Sequence, residues 1–238
     1  FARWALDSYG IAAPSIRLGG VGLFEAFLEA AGVPPIWRSR IRHRFGNPTA
    51  LRRLVERLAA PAASPVGDLE DRDTVVQRVA DALLSSGLGT SDGRTAAEIA
   101  DRYLEKQALD AARVPEPVVK LLQDYLSVAD SAPAALDRIG DMCTAHGFDF
   151  EEPLFQVRKH ASALAAVSPA ADVIFDAGFS PRLDYYTGIV FQMTGARGEI
   201  LASGGEYDRL LTRLGAPRHV AASGCALWVT RMEREAAP

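Results

Sequence analysis

From Leu23 to Val167 the apolar residues recur at three- and four-residue spacing, the period of a helix with one buried face. Leu23, Phe24, Phe27, Leu28 and Ala31 form the first such face, closed by Gly32 and by Pro34-Pro35. Residues 36–45 and 48–60 predict two more helices, with Asn47-Pro48 a natural start for the second. Ala62-Ala63-Ser64-Pro65 reads as a break, after which Thr74, Val75, Val79, Leu83 and Leu84 keep helical spacing up to Gly87. Thr95-Ala96-Ala97-Glu98 spells a capping box and opens a helix to about Leu109, with Ile99, Tyr103 and Leu104 inward. Helices over 115–126, 133–146 and 151–167 follow.

The flanks of this run read differently. Residues 1–9 end a helix at Gly10, and 15–18 alternate as a short strand. The Gly19-Gly20-Val21-Gly22 that follows lacks a full dinucleotide fingerprint and is expected to be a strand-to-helix turn. Residues 172–179 return the chain to strand. Tyr185, Thr187, Ile189 and Phe191 then alternate with Tyr186, Gly188, Val190 and Gln192, so a strand here would send the two tyrosines to opposite faces. Gly195-Ala196-Arg197-Gly198 predicts a hairpin turn. The next strand, 199–203, runs into Gly204-Gly205, expected to open a helix where missing Cβ atoms let a ligand approach the backbone. Residues 207–214 predict a short helix, 221–229 a strand suited to the middle of a sheet, and a last helix starts at Thr230. A plain hairpin with a turn accounts for the same letters, so this pattern alone does not name a ligand.

Net charge is −4 over 238 residues, which gives no global pull toward nucleic acid or an acidic membrane. Locally, Arg38, Arg40, Arg42, Arg44, Arg52, Arg53 and Arg57 crowd around His43. Such a cluster fits a phosphate backbone, a solvated helix face or an acidic partner, and nucleic acid is the least favoured of the three. Cys143 and Cys225 read as reduced small hydrophobes of a cytoplasmic protein, with a disulfide left open. His43, His146, His160 and His219 show no metal-ligand spacing, and no GxSxG elbow occurs. Neither a metal nor a cofactor is expected, and no apolar run is long enough for a transmembrane helix.

Leu183-Asp184-Tyr185-Tyr186-Thr187-Gly188-Ile189-Val190-Phe191 and Gly204-Gly205-Glu206-Tyr207-Asp208 resemble the histidine-specific motifs of histidyl-tRNA synthetases and their relatives. Ala222 to Leu227, continued to Arg231, resembles the third motif of class II synthetases. The resemblance is strong over 172–232 and weak before that. It implies an α+β fold: a class II aminoacyl-tRNA synthetase-like antiparallel sheet from about 1–21 and 168–238, with a helical insertion at about 22–167. The chain begins Phe1-Ala-Arg and is expected to be a fragment or processed product, its first two class II motifs lying ahead of it.

By resemblance, Tyr185, Tyr186, Gly204, Gly205 and Tyr207 match histidine-pocket positions, with Tyr186 against the imidazole. Asp184 matches too, in a structural role, and Arg231 matches the arginine that holds ATP. Departures are as informative. Pro181 stands where the synthetase carries its catalytic arginine, with Arg182 one residue along and expected on the other face. Loss of a preorganised cation at a developing charge costs about 10²–10³ in rate. Glu206 reverses a charge of the glycine motif, and Trp228 replaces a glycine of the third. This profile resembles the regulatory subunits of ATP phosphoribosyltransferase. The resemblance implies a non-catalytic partner of the short catalytic subunit in histidine biosynthesis, a homodimer within a hetero-oligomer, with histidine as effector. An active histidyl-tRNA synthetase is the rival, and a scaffold that binds no small molecule is a third possibility.

Overall fold

The computed structural model describes residues 1–59, 70–86, 94–169, 171–183 and 185–237. Helix α1 (Ala2–Ser8) ends where Gly10, at φ +74°, turns the chain, a geometry that costs glycine little. Strand β1 (Ser15–Gly20) passes directly into α2 (Val21–Ala30), as expected of the Gly19-Gly20 turn. On α2, Leu23, Phe24, Phe27 and Leu28 are all buried, and the rings of Phe24 and Phe27 stack on Tyr125 at 5.7 and 4.1 Å.

Helices α3 (Pro35–Arg44), α4 (Pro48–Ala59), α5 (Arg72–Ser85), α6 (Ala96–Ala111) and α7 (Glu116–Leu126) follow the predicted periodicity. The break at 62–65, the helix end at Gly87 and Asp184 lie outside the described residues. Helix α6 opens in the predicted capping box, Glu98 N donating to Thr95 Oγ1 at 3.2 Å and Thr95 N to the Glu98 carboxylate at 2.7 Å. Its inward set differs from the expected one. Ala100 is buried, whereas Tyr103 is exposed, donates to Glu70 and lies under Arg78. The seam between α5 and α6 is narrow, so a ring one turn from its centre falls on the rim.

Strand β2 (Ala129–Ser131), helices α8 (Ala132–Ala145) and α9 (Glu151–Val167), and strand β3 (Asp172–Asp176) come next. Then follow β4 (Ile189–Thr194), β5 (Ile200–Glu206), α10 (Leu210–Arg213), β6 (Ser223–Leu227) and α11 (Val229–Ala236). Among the described residues the strands make one sheet in the order β2-β3-β1-β4-β5-β6. Every pairing is antiparallel except β1 with β3. The fold is thus α+β with a mostly antiparallel sheet.

Two expectations need correction. The run 22–167 is not helical throughout, because β2 lies within it and pairs with β3, Ala129 opposite Asp176. A strand of three exposed residues is too short to print an alternation. And β6 is an edge strand among those described, not a central one. Its small residues answer to close contacts with β5 and the tyrosines, described below, rather than to burial on two faces.

Register sorts the sheet into two faces. Ile16, Leu18, Phe175 and Met193 share one and belong to the core. Arg17, Gln192, Ser203 and Ala226 lie in one row on the other, followed two residues along by Gly19, Val190, Gly205 and Gly224. The site is built on this second face.

Candidate functional site

Strand β4 begins only at Ile189, so Tyr185 and Tyr186 belong to the irregular segment that precedes it. They therefore do not take opposite faces. Their ring centroids lie 4.7 Å apart, and Tyr207 stands edge-on to Tyr185 at 5.5 Å and 6.3 Å from Tyr186. What holds the segment is hydrogen bonding rather than a strand ladder. Thr187 N donates to Glu206 O at 2.8 Å, and Asp208 N donates to Thr187 Oγ1 at 3.0 Å. Val21 N, at the start of α2, donates to Gly188 O at 2.9 Å. Arg42 of α3 donates to Tyr186 O and to Glu25, and Arg209 reaches the other oxygen of Glu25 at 2.7 Å. On the third side, Asp208 Oδ1 accepts from Ala222 N at 2.7 Å, and Tyr207 N donates to Ala222 O at 2.7 Å.

The glycine row is the floor under these rings. A Cβ on Gly205 would come within 3.0 Å of Tyr186 and 2.8 Å of Val190, and one on Gly224 within 2.6 Å of the Tyr207 hydroxyl. Gly204 has another reason to lack a side chain, since its Cβ would meet Gly224 O at 2.2 Å and Cys225 Cβ at 2.6 Å across the β5–β6 ladder. The pair therefore lies within β5 and does not open a helix. It serves sheet packing at one residue and ring packing at the next.

A cavity of about 530 Å³ opens beside the rings, lined by Tyr185, Tyr186, Tyr207, Leu210, Cys225 and Trp228, among others. This size lies in the range of small-molecule sites. Burial pushes the Tyr186 phenol above its ordinary value, with the Tyr185 hydroxyl adding to the effect. It stays protonated at neutral pH and keeps both a donor and two acceptor lone pairs. Cys225 is likewise pushed up by burial, and both cysteines are free thiols.

Of the residues singled out from sequence, Tyr185, Tyr186 and Tyr207 come together with Gly205 beneath them, while Gly204 packs against β6. Arg231 turns away from the cavity. Its Nη1 donates to Ile200 O at 2.9 Å, and its guanidinium lies 5.2 Å from the Trp228 ring. Arg182, expected on the other face, lines the cavity together with Pro181, because the segment carrying it is not a strand. Glu206, the reversed charge, accepts from Ile189 N at 3.1 Å and lies 3.1 Å from His160 Nε2 of α9. A side chain at Gly188 would occupy the place of that carboxylate. Sequence reasoning missed Gly224, Ser203 and Leu210 as neighbours of the rings. Cross-strand register, which the letters do not print, brings Ser203 and Gly224 there, and Leu210 comes with α10.

Three arginines of the basic cluster have acidic partners. Arg38 pairs with Glu29 at 3.2 Å, Arg40 with Glu105 of α6, and Arg42 with Glu25. These three tie α3 to α2 and α6, whereas Arg44 donates to Arg40 O within α3.

A family model described as histidyl-tRNA synthetase matches residues 77–232. The ATP phosphoribosyltransferase regulatory subunit of Rhizobium rhizogenes is 35% identical over 232 residues, covering 92% of this chain and 62% of that protein. Its counterpart from Rhizobium meliloti is 36% identical over 236 residues, covering 92% and 61%. The chain spans about three fifths of the length of these curated relatives. Among solved structures, an ATP phosphoribosyltransferase regulatory subunit/histidyl-tRNA synthetase from Bacillus halodurans aligns with a TM-score of 0.60 at 18% identity. That alignment covers 99% of this chain and 47% of the other, and it is a likeness of fold.

Proposed function

The chain belongs to the histidyl-tRNA synthetase family, and from that premise we propose that it works as part of a regulatory subunit of ATP phosphoribosyltransferase. The observation that carries this is the identity of about one residue in three, over nine tenths of the chain, to proteins bearing that name. The site supports it. Pro181 offers no cation where the synthetase motif has one, Trp228 lines the cavity, and Arg231 is committed to Ile200 and Trp228. Adenylate formation needs fixed positive charge around a phosphate; Pro181 and Trp228 carry none, and the Arg231 guanidinium is turned to Ile200 O and the Trp228 ring.

The subunit binds the short catalytic subunit in the cytoplasm, as a homodimer within a hetero-oligomer, activates it and conveys inhibition by histidine. It has no synthetase activity of its own and needs no cofactor. Histidine occupies the tyrosine cavity with its imidazole against Tyr186. A protonated phenol suits that ring, offering a hydrogen bond and an aromatic face.

Co-purification tests the assignment. The full-length protein is expected to elute with the short catalytic subunit in one complex, and separate elution at micromolar concentrations would count against it. Histidine-dependent ATP–pyrophosphate exchange is expected to stay at background. Exchange well above background would make the chain part of an active synthetase instead.

A further inference from the structure

Arginines surround the tyrosine segment, and most of them are committed. Arg42 and Arg209 share Glu25, and Arg231 holds Ile200 O. Arg182 differs. It is exposed, lines the cavity, and forms no ion pair with any carboxylate among the described residues. No other charged side chain lines the cavity among those residues, whose walls are otherwise aromatic, apolar or neutral. The cavity lining therefore combines flat rings and a buried phenol with a single exposed arginine.

We propose that Arg182 is the anion-recognising residue of this cavity, which therefore selects ligands with an aromatic ring at one end and a carboxylate at the other. The inference rests on the cavity being the histidine site and adds the residue that tells an amino acid from its decarboxylated amine. Guanidinium forms two parallel N–H···O bonds to a carboxylate, which fixes orientation as well as charge. Arg182 stands beside Pro181 on the irregular backbone of 181–183, which lets it line the cavity. Exposure to water keeps the contribution modest.

The test uses the full-length protein titrated calorimetrically with histidine and with histamine, which keeps the imidazole and the amine but lacks the carboxylate. Wild type is expected to prefer histidine. Arg182→Gln should weaken histidine about 2- to 5-fold, the size of an exposed charge pair, and leave histamine unchanged or improved. Arg182→Lys should recover part of the preference. Equal weakening of both ligands, or no change in their ratio, overturns the inference while leaving the histidine site intact. If wild type binds neither ligand, the histidine site itself fails and the inference falls with it. Unchanged far-ultraviolet circular dichroism of the variants guards against misfolding as the cause of any loss.

Discussion

The Tyr186 hydroxyl is the most specific polar feature of the cavity, and its protonation is secured by burial. Tyr186→Phe removes one oxygen and keeps the ring over Gly205. A net hydrogen bond of about 0.5–1.5 kcal/mol corresponds to about 2- to 13-fold in affinity. In the reconstituted complex this variant is therefore expected to need that much more histidine for half inhibition, while still activating the catalytic subunit. Unchanged inhibition would make Tyr186 a packing residue. Gly204 makes a contrasting case. A methyl group there would lie 2.2 Å from the Gly224 carbonyl, so Gly204→Ala should cost about 1–3 kcal/mol, read as a lower urea midpoint. Cys143 adds a pH dependence, because burial raises its thiol from 9.0 to about 11. The folded state holds that proton more tightly than the unfolded chain does. This contribution is complete below about pH 9 and is lost as pH rises toward and past about 11. Urea midpoints should fall as pH rises above about 9, less steeply in Cys143→Ala. An identical slope in the variant would remove Cys143 from this account.

Helix α3 shows how one element serves two neighbours. Arg42 holds the Tyr186 carbonyl and Glu25, Arg40 pairs with Glu105 of α6, and Trp37 Nε1 donates to Ala112 O at 2.6 Å. Arg42→Met should therefore lower stability by about 1–3 kcal/mol, the usual value of charge-assisted bonds, and weaken histidine binding through a loosened tyrosine segment. A variant with full stability and full affinity would show that the segment is held without α3. The longer helices were legible in the sequence because their apolar positions repeat the period, as from Leu23 to Ala31. The tyrosine segment was not. Its letters alternate like a strand, yet Glu206, Arg42 and Val21 take up its backbone groups, and Asp208 N holds the Thr187 hydroxyl, so the segment is a loop. Alternation records only which residues differ in polarity, and these four partners are distant in sequence. Strand β2 escaped for the opposite reason, being too short to alternate at all.

At the scale of the molecule, the sheet offers one face to the core and lays a row of glycines under three tyrosines on the other. Motif resemblance singled out Tyr185, Tyr186 and Tyr207, whose rings stand together beside the cavity. The shared placement of Arg182 and the role of Glu206 required the coordinates, since both depend on how the loop before β4 leaves the sheet. The proposal of regulation rests on the identity to proteins named ATP phosphoribosyltransferase regulatory subunits, since the family match by itself is to histidyl-tRNA synthetase. The most direct measurement is the turnover of the short catalytic subunit, assayed alone, with the full-length protein, and with that protein plus histidine. Turnover is expected to rise when the protein is added and to fall again as histidine is titrated in. No change in turnover upon addition, together with histidine-dependent pyrophosphate exchange by the protein alone, would contradict the account.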